Sequence, residues 1–335
     1  MSMNRLPREV VEVIESSFVA EFATVSGAGV PIDTPTYAFA SDDLTSIGVA
    51  TGLAYPAKAE RARRNPKVGL LLDSMPGMPV VSIRGRAAVH DANLQANAIR
   101  YLSETGWEAV GASAGVDWSV AKKAVWYWTR IIVDIMPEQV MWWDNLDAMD
   151  SQPNVMDFEV PDDFVSDPQP EGKVSPAPKW PQKTWQEIAA MAVGREAPGH
   201  LTVLDDNGWP LPIRVRSAEL VGERFKLDIP RGAPWKAQGK ASLSFQGVEN
   251  FIGEASTEGD VTWLAVERAL PMLPMMLDPS EVLQPKDSTR ETLWARLEEE
   301  CRRRGVPIPT IPDEPPARTR LAQARMERAI AFTEL

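Results

Sequence analysis

Residues 18–51 read FVAEFATVSGAGVPIDTPTYAFASDDLTSIGVAT, three strand-like runs parted by two turn signals. The first run, Phe18 to Val25, is apolar and stops at Ser26-Gly27-Ala28-Gly29, a glycine-rich hairpin turn. The second, Pro31 to Phe39, mixes β-branched and aromatic residues and stops at Ser41-Asp42-Asp43. The third is Thr45 to Thr51.

The pattern continues outward from this stretch. Pro7 to Ser16 reads as an amphipathic helix with Val10, Val11, Val13 and Ile14 on its apolar side. Pro56 to Arg64 reads as a basic helix, with Pro56 suited to its first turn. Lys67 to Leu72 and Val80 to Val89 are further strands. Asp91 to Ser103 and Trp118 to Val125 are helical, and Trp128 to Met136 and Gln139 to Trp143 are strands divided by Pro137. Many short strands with helices at the seams predict a small antiparallel barrel, not a doubly wound sheet.

Asp144 to Pro181 is rich in Asp, Pro and Ser and reads as a linker; a helix at Thr184 to Val193 follows it. The second half then repeats the first. Thr24-Val25, Gly29-Val30-Pro31 and Lys58 match Thr202-Val203, Gly208-Trp209-Pro210 and Lys236. Ile83-Arg84-Gly85-Arg86-Ala87 is echoed by Phe251-Ile252-Gly253-Glu254-Ala255. An ordered set of matches means one fold used twice. The expected division is a first barrel over 1–150, a linker over 151–180, and a second, diverged barrel with a C-terminal helical extension over 181–335. In that extension Asp287 to Arg304 is a charged helix, Pro307 to Pro316 is extended, and Arg318 to Phe332 is a last helix capping the barrels.

Bulk properties agree with two domains in 335 residues, with 44% hydrophobic and 24% charged residues. A net charge of −12 argues against nucleic acid or an anionic membrane as partner. The one cysteine, Cys301, excludes an intrachain disulfide and reads as a structural thiol. With only His90 and His200 as imidazoles, no metal site is expected. Met1 to Arg8 lacks the apolar run of a signal peptide, and no segment is long and apolar enough to span a bilayer, so the cytoplasm is the expected location. There is no Gly-x-Ser-x-Gly elbow, and no G-x-G-x-x-G opens a helix, which disfavours a hydrolase and a Rossmann enzyme.

The first half resembles the pyridoxamine-phosphate-oxidase-like, FMN-binding split-barrel superfamily. The resemblance rests on Phe22-Ala23-Thr24-Val25, Gly29-Val30-Pro31, Pro35-Thr36-Tyr37, Ile47 to Thr51, Lys58, Arg63 to Val68, Ile83 to Ala87 and Asp134 to Val140. It covers about residues 8–145, and 200–257 more weakly. It implies tandem split barrels, mainly β with flanking helices, paired face to face as an intrachain pseudo-dimer that could itself dimerise. It implies a flavin, FMN, between them. Thr34, Thr36 and Tyr37 would run along the flavin ring. Thr51 would stand near the phosphate and Lys58 would grip it. Pro56 stands where family members often carry a donor, and Arg61 is the candidate replacement.

The residues themselves give a parallel reading. Lys58 and Arg61 lie three apart on one helix face near its N-terminus, where phosphate is favoured; a solvated basic face is the competing reading. Trp126, Trp128, Trp142 and Trp143 cluster, and Trp143 is a candidate groove wall against the commoner use of Trp in packing. Trp235 beside Lys236 either walls a second site or plugs it. The run Leu270 to Leu277, rich in Met, fits inter-barrel filling or a pliable pocket wall. The expected activity is an FMN-dependent oxidoreductase acting on a small, flat or apolar substrate, with no catalytic acid or base assigned. A deazaflavin reductase and a non-enzymatic cofactor or ligand carrier on the same fold are the alternatives, and haem is disfavoured by the two isolated histidines.

Overall fold

A computed structural model describes residues 2–72, 77–108, 110, 115–245, 249–272 and 278–333. The first unit holds β1 (Val19–Val25), β2 (Pro31–Ala40), β3 (Ile47–Gly52), β4 (Lys67–Leu72), β5 (Val80–His90) and β6 (Arg130–Trp143). They are ordered β3-β2-β1-β4-β5-β6, and β6 pairs back to β3, which closes a six-stranded barrel. β7 (Asn154–Asp157), inside the expected linker, adds to the free side of β6.

The helices are α1 (Arg8–Ser16), α2 (Ala57–Arg64), α3 (Leu94–Thr105), α4 (Trp118–Ala121), α5 (Val125–Trp128), α6 (Trp185–Gly194), α7 (Asp287–Arg304) and α8 (Arg320–Thr333). α1 buries Val10, Val13 and Ile14 on the barrel, as its apolar spacing predicts. α6 starts at a capping box made by Thr184 and Glu187. Of the Met-rich run, residues 273–277 lie outside the described residues.

Pro137 does not divide β6. Arg84 faces Gln139 and Gly85 faces Pro137, so Glu138 is the extra residue of a β-bulge, where a missing N–H is tolerated.

The second unit holds β8 (Gly199–Leu204), β9 (Pro210–Arg214), β10 (Ser217–Val221), β11 (Arg224–Asp228), β12 (Gly239–Phe245), β13 (Asn250–Glu258) and β14 (Val261–Ala269). Their order is β10-β11-β14-β13-β12-β8-β9. β9 and β10 together correspond to β2, interrupted at Val215-Arg216. The Val215 amide donates to Gly199 O beside β8, and the Arg216 amide donates to Asp228 O beside β11. The chain itself thus joins the two ends of this curled sheet.

Hairpin register fixes how the copies superpose. Ser26 and Asp205 open equivalent turns, each bonded to the residue four ahead, so the offset is 205 − 26 = 179. Val25↔Pro31 and Leu204↔Pro210 obey it, as do Ala38↔Val49 and Ser217↔Asp228. The expected match of Thr24-Val25 to Thr202-Val203 is therefore one residue out, because Thr24 corresponds to Val203. The later match is in register: β5 and β13 shift pairing at Arg84/Gly85 and Ile252/Gly253, the same point of the motif.

The C-terminal extension does not stay with the second barrel. Leu293, Leu297, Cys301 and Leu321 join the first barrel's core, and Arg325 donates to Ala38 O on β2.

Candidate functional site

The barrels meet through β1, β2, β4 and β5 of the first and β8, β9, β12 and β13 of the second. They approach closely: a Cβ on Gly69 would lie 1.8 Å from Pro210 O. Glu21 corresponds to His200 by the 179 offset, and the two face each other, Glu21 Oε1 lying 3.3 Å from His200 Nδ1. The pseudo-two-fold axis therefore passes between them. Around this pair the second barrel's hydroxyls converge on the first barrel's acids. Thr202 and Ser244 donate to Asp33 Oδ2 at 3.2 and 3.1 Å, and Ser244 also bonds Glu21 Oε2 at 3.0 Å. Burial, then the nearby Glu21 charge, raises the Asp33 carboxyl well above the usual range.

Next to this seam lies a cluster of cations. α2 is short and basic, and Ala59 and Ala62 anchor it on the barrel core. That leaves Lys58 and Arg61 beside the β1–β2 hairpin: Lys58 Nζ donates to Pro35 O at 3.2 Å, and Arg61 Nε donates to Thr24 Oγ1 at 2.8 Å. Neither reaches a carboxylate. Burial, then Arg61, pushes the Lys58 ammonium down to about 8, with Arg130 adding to the fall and Glu21 and Asp33 opposing it. Burial and Arg64 push Arg61 down to about 10.

Arg130, at the start of β6 opposite Gly52, completes the cluster. Its guanidinium lies over Tyr127 and Tyr101, 4.1 and 4.4 Å from the ring centroids, and its buried Nε has no partner. A Cβ on Gly52 would come within 3.2 Å of its Nη1, so glycine there makes room for it. Nothing local marks this arginine in the sequence, because its place comes from the β3–β6 closure.

The remaining predicted residues divide into two groups. Thr34, Thr36, Tyr37 and Thr51 gather on β2 and β3 beside the cations. Thr36 Oγ1 donates to Ala50 O and Thr51 Oγ1 to Tyr55 O, both at 3.0 Å, while Thr34 Oγ1 is buried without a partner. Tyr37 stacks toward Tyr101 at 6.4 Å, and burial with Tyr127 pushes its phenol up to about 12. Trp143 and Lys236 lie elsewhere. Trp143 is 2% exposed, donates to Ser151 O at 3.0 Å and packs with Leu71, Met149 and Ile213. Lys236 is exposed in a segment with no counterpart of α2.

Trp143 in fact fills the pseudo-symmetric groove. Under the 179 offset, Thr34, Thr36 and Thr51 become Ile213, Val215 and Pro230. Trp235 closes this groove further, its indole donating to Leu211 O at 2.7 Å. The second groove is thus apolar and packed where the first is cationic and hydroxylated.

Among the described residues no acidic or histidine cluster is arranged to hold a metal, and no helix is long and apolar enough to cross a membrane. Two surface cavities of about 270 and 230 Å³ lie on the second barrel and touch neither Lys58, Arg61 nor Arg130.

No family model and no curated protein matches the chain. Solved structures do. One, from Listeria innocua and described as a candidate pyridoxamine 5'-phosphate oxidase, is 22% identical over 41% of this chain and 97% of its own, with a TM-score of 0.29. A Clostridium acetobutylicum protein related to general stress protein 26, of the pyridoxinephosphate oxidase family, is 17% identical over 44% and 92%, with a TM-score of 0.32. An FAD-binding protein from Mesorhizobium loti is 20% identical over 39% and 89%, with a TM-score of 0.28.

Proposed function

We propose that this chain binds FMN beside α2 and acts as a flavin-dependent oxidoreductase on a small, flat or apolar organic substrate. The observation that carries the reading is a set of three sheltered cations, Lys58, Arg61 and Arg130, with no carboxylate ion pair among the described residues, beside the unpartnered hydroxyl of Thr34. Crowded like charges depress one another and call for an anion, and a phosphate monoester supplies two charges and several acceptor oxygens. The residues fit that group. Lys58, Arg61 and Arg130 would hold the phosphate, with Thr34 as a hydroxyl donor. The hydrogens of Thr36 and Thr51 are already given to backbone carbonyls, so these two brace β2, β3 and the turn before α2.

The flavin, when bound, supplies the hydride or electron chemistry. The chain binds, orients and excludes water. Tyr37, its phenol pushed up to about 12, stays protonated near neutral pH and serves as a donor, not a base. The face of the second barrel closes the other side of the seam.

The test is the visible spectrum of the purified protein with and without added FMN, with any bound molecule identified by mass. Flavin bands that are lost in Lys58→Ala are expected. A wild-type chain that stays colourless in excess FMN would sink the proposal. A deazaflavin found by mass would keep the phosphate grip and change the carrier.

A further inference from the structure

Helix α7, the first helix of the C-terminal extension, reaches back more than two hundred residues in sequence to the helix that carries Lys58, and the contacts it makes there are buried and charged. α2 needs such help. Its eight residues include four cations and one acid, a net +3, and it has no side-chain N-cap. An isolated helix needs roughly 12–15 residues even with a favourable sequence. At about 100° per residue, Lys58 and Arg61 lie nearly opposite Glu60 and Arg63, with Ala59 and Ala62 on the core side between them.

That opposite face meets α7. Glu60 pairs with Arg303, and Arg304 lies 3.5 Å from the same carboxylate. Arg304 Nε bonds Asp91 at 2.9 Å, and Arg63 bonds the other oxygen of Asp91 at 2.7 Å. Glu300 closes the set, 2.9 Å from Arg303 and 2.5 Å from Arg304. Three arginines and three carboxylates thus balance, and the side chains of Arg303, Arg304, Glu300 and Asp91 are each at most 3% exposed. One turn or two earlier on α7, Arg296 donates to Ala54 O at 2.7 Å and stands over Tyr55, 5.8 Å from its ring centroid. Tyr55 O in turn receives the Thr51 hydroxyl.

We propose that α7 is a positioning element of the anion site, in which Arg296 fixes the Ala54–Pro56 turn and Arg303 fixes α2, so that Lys58 and Arg61 face the β1–β2 hairpin. The inference rests on the phosphate reading of the preceding section. Neither Arg296 nor Arg303 touches the ligand: they set the rotation of α2 about its own axis. A buried pair that loses one partner leaves an uncompensated charge, so Arg303 loss would turn Glu60 toward solvent and carry Lys58 with it.

The test compares FMN with riboflavin, which lacks the phosphate, by flavin fluorescence titration of the full chain, with thermal melting alongside. Arg296→Gln and Arg303→Gln should each weaken FMN about tenfold, equivalent to ~1.4 kcal/mol, with riboflavin unchanged. Arg303→Lys should recover part of the loss. If Arg303→Gln does not fold, Arg296→Gln, which removes the bond to Ala54 O and the ring contact at the turn together with a second backbone bond to Pro176 O, carries the test, with melting showing that the fold is kept. FMN affinity unchanged in folded Arg296→Gln, or FMN and riboflavin weakened in parallel, overturns the positioning role. Lys58→Ala separates the two ideas. If it abolishes the FMN preference while both arginine variants keep it, only the positioning role falls. A wild-type chain that binds neither FMN nor pyrophosphate overturns both.

Discussion

In the proposed site, Lys58 would set the pH window. Its ammonium is held near 8, below the usual 10.5, by burial and by Arg61. A phosphate monoester becomes dianionic above about pH 6. Below pH 8 the lysine is charged, and as pH rises through that value the charge is lost. FMN affinity should therefore be highest between about pH 6 and pH 8 and fall on the alkaline side. Titrations in wild type and Lys58→Ala check this: the fall centred near pH 8 should vanish from whatever binding the variant retains, leaving the later fall near pH 10 that belongs to Arg61. Thr34→Val is the complementary test. It removes a hydroxyl that has no partner in the protein, so the melting temperature should hold while FMN binding weakens by about 1 kcal/mol, one hydrogen bond. Lys58 was singled out by its place near the start of a basic helix, and Thr34 only through the family resemblance, as a residue along the flavin ring. Arg130 was not. It follows a run of aromatic residues and comes beside Gly52 only when β6 closes on β3.

Strands and hairpins were the most legible level, since each is bounded by local turn chemistry. The departures have long-range causes. Pro137 reads as a break, yet it sits at a bulge whose partner is Gly85 on a strand fifty residues away. Lys236 reads as the second copy of Lys58, but the shortened connection after β11 forms no helix, so the lysine keeps its place in the sequence and loses its setting. The paired bulges give an element-scale prediction. A Cβ on Gly253 would lie 2.0 Å from Ala265 O, a backbone atom that cannot swing aside. Gly253→Ala should destabilise the protein by about 1–3 kcal/mol, the usual range for overpacking. Chemical denaturation measures it, and an unchanged midpoint would mean that the β13–β14 register is not as described.

At the scale of the molecule, duplication has been followed by specialisation of the two faces. Around the pseudo-two-fold axis the first barrel brings acids, with cations beside them, and the second brings hydroxyls and one histidine; further along the seam Arg84 of the first barrel pairs with Asp205 of the second at 2.8 Å. Asp33 shows the energetic consequence. Its folded carboxyl is raised well above 3.8, so the native state holds a proton that the unfolded chain releases. Stability from this group is fully present below 3.8 and is lost as pH rises through the folded value. Asp33→Asn keeps an acceptor for Thr202 and Ser244 and removes that dependence. Its melting temperature relative to wild type should climb as pH rises above 3.8, and a flat difference would contradict the buried, protonated state.

On the proposed reading, the same specialisation predicts how many ligands one chain takes. A symmetric dimer of barrels has two equivalent grooves across its axis. Here the groove beside α2 has Thr34, Thr36 and Thr51, whereas its counterpart has Ile213, Val215 and Pro230 at the same positions, with no basic helix and with Trp143 and Trp235 packed into it. Opening the second groove would mean removing the buried Trp143 ring and the half-buried Trp235 ring from apolar contact and placing a phosphate beside aliphatic side chains, with no buried cation to compensate for its desolvation. Flavin titration should therefore saturate at one per chain. Lys236→Ala should leave both affinity and stoichiometry unchanged, and Lys58→Ala should remove the single site. Saturation at two per chain, or sensitivity to Lys236, would mean that the second barrel retains a working groove and that the tryptophans move aside to admit a ligand.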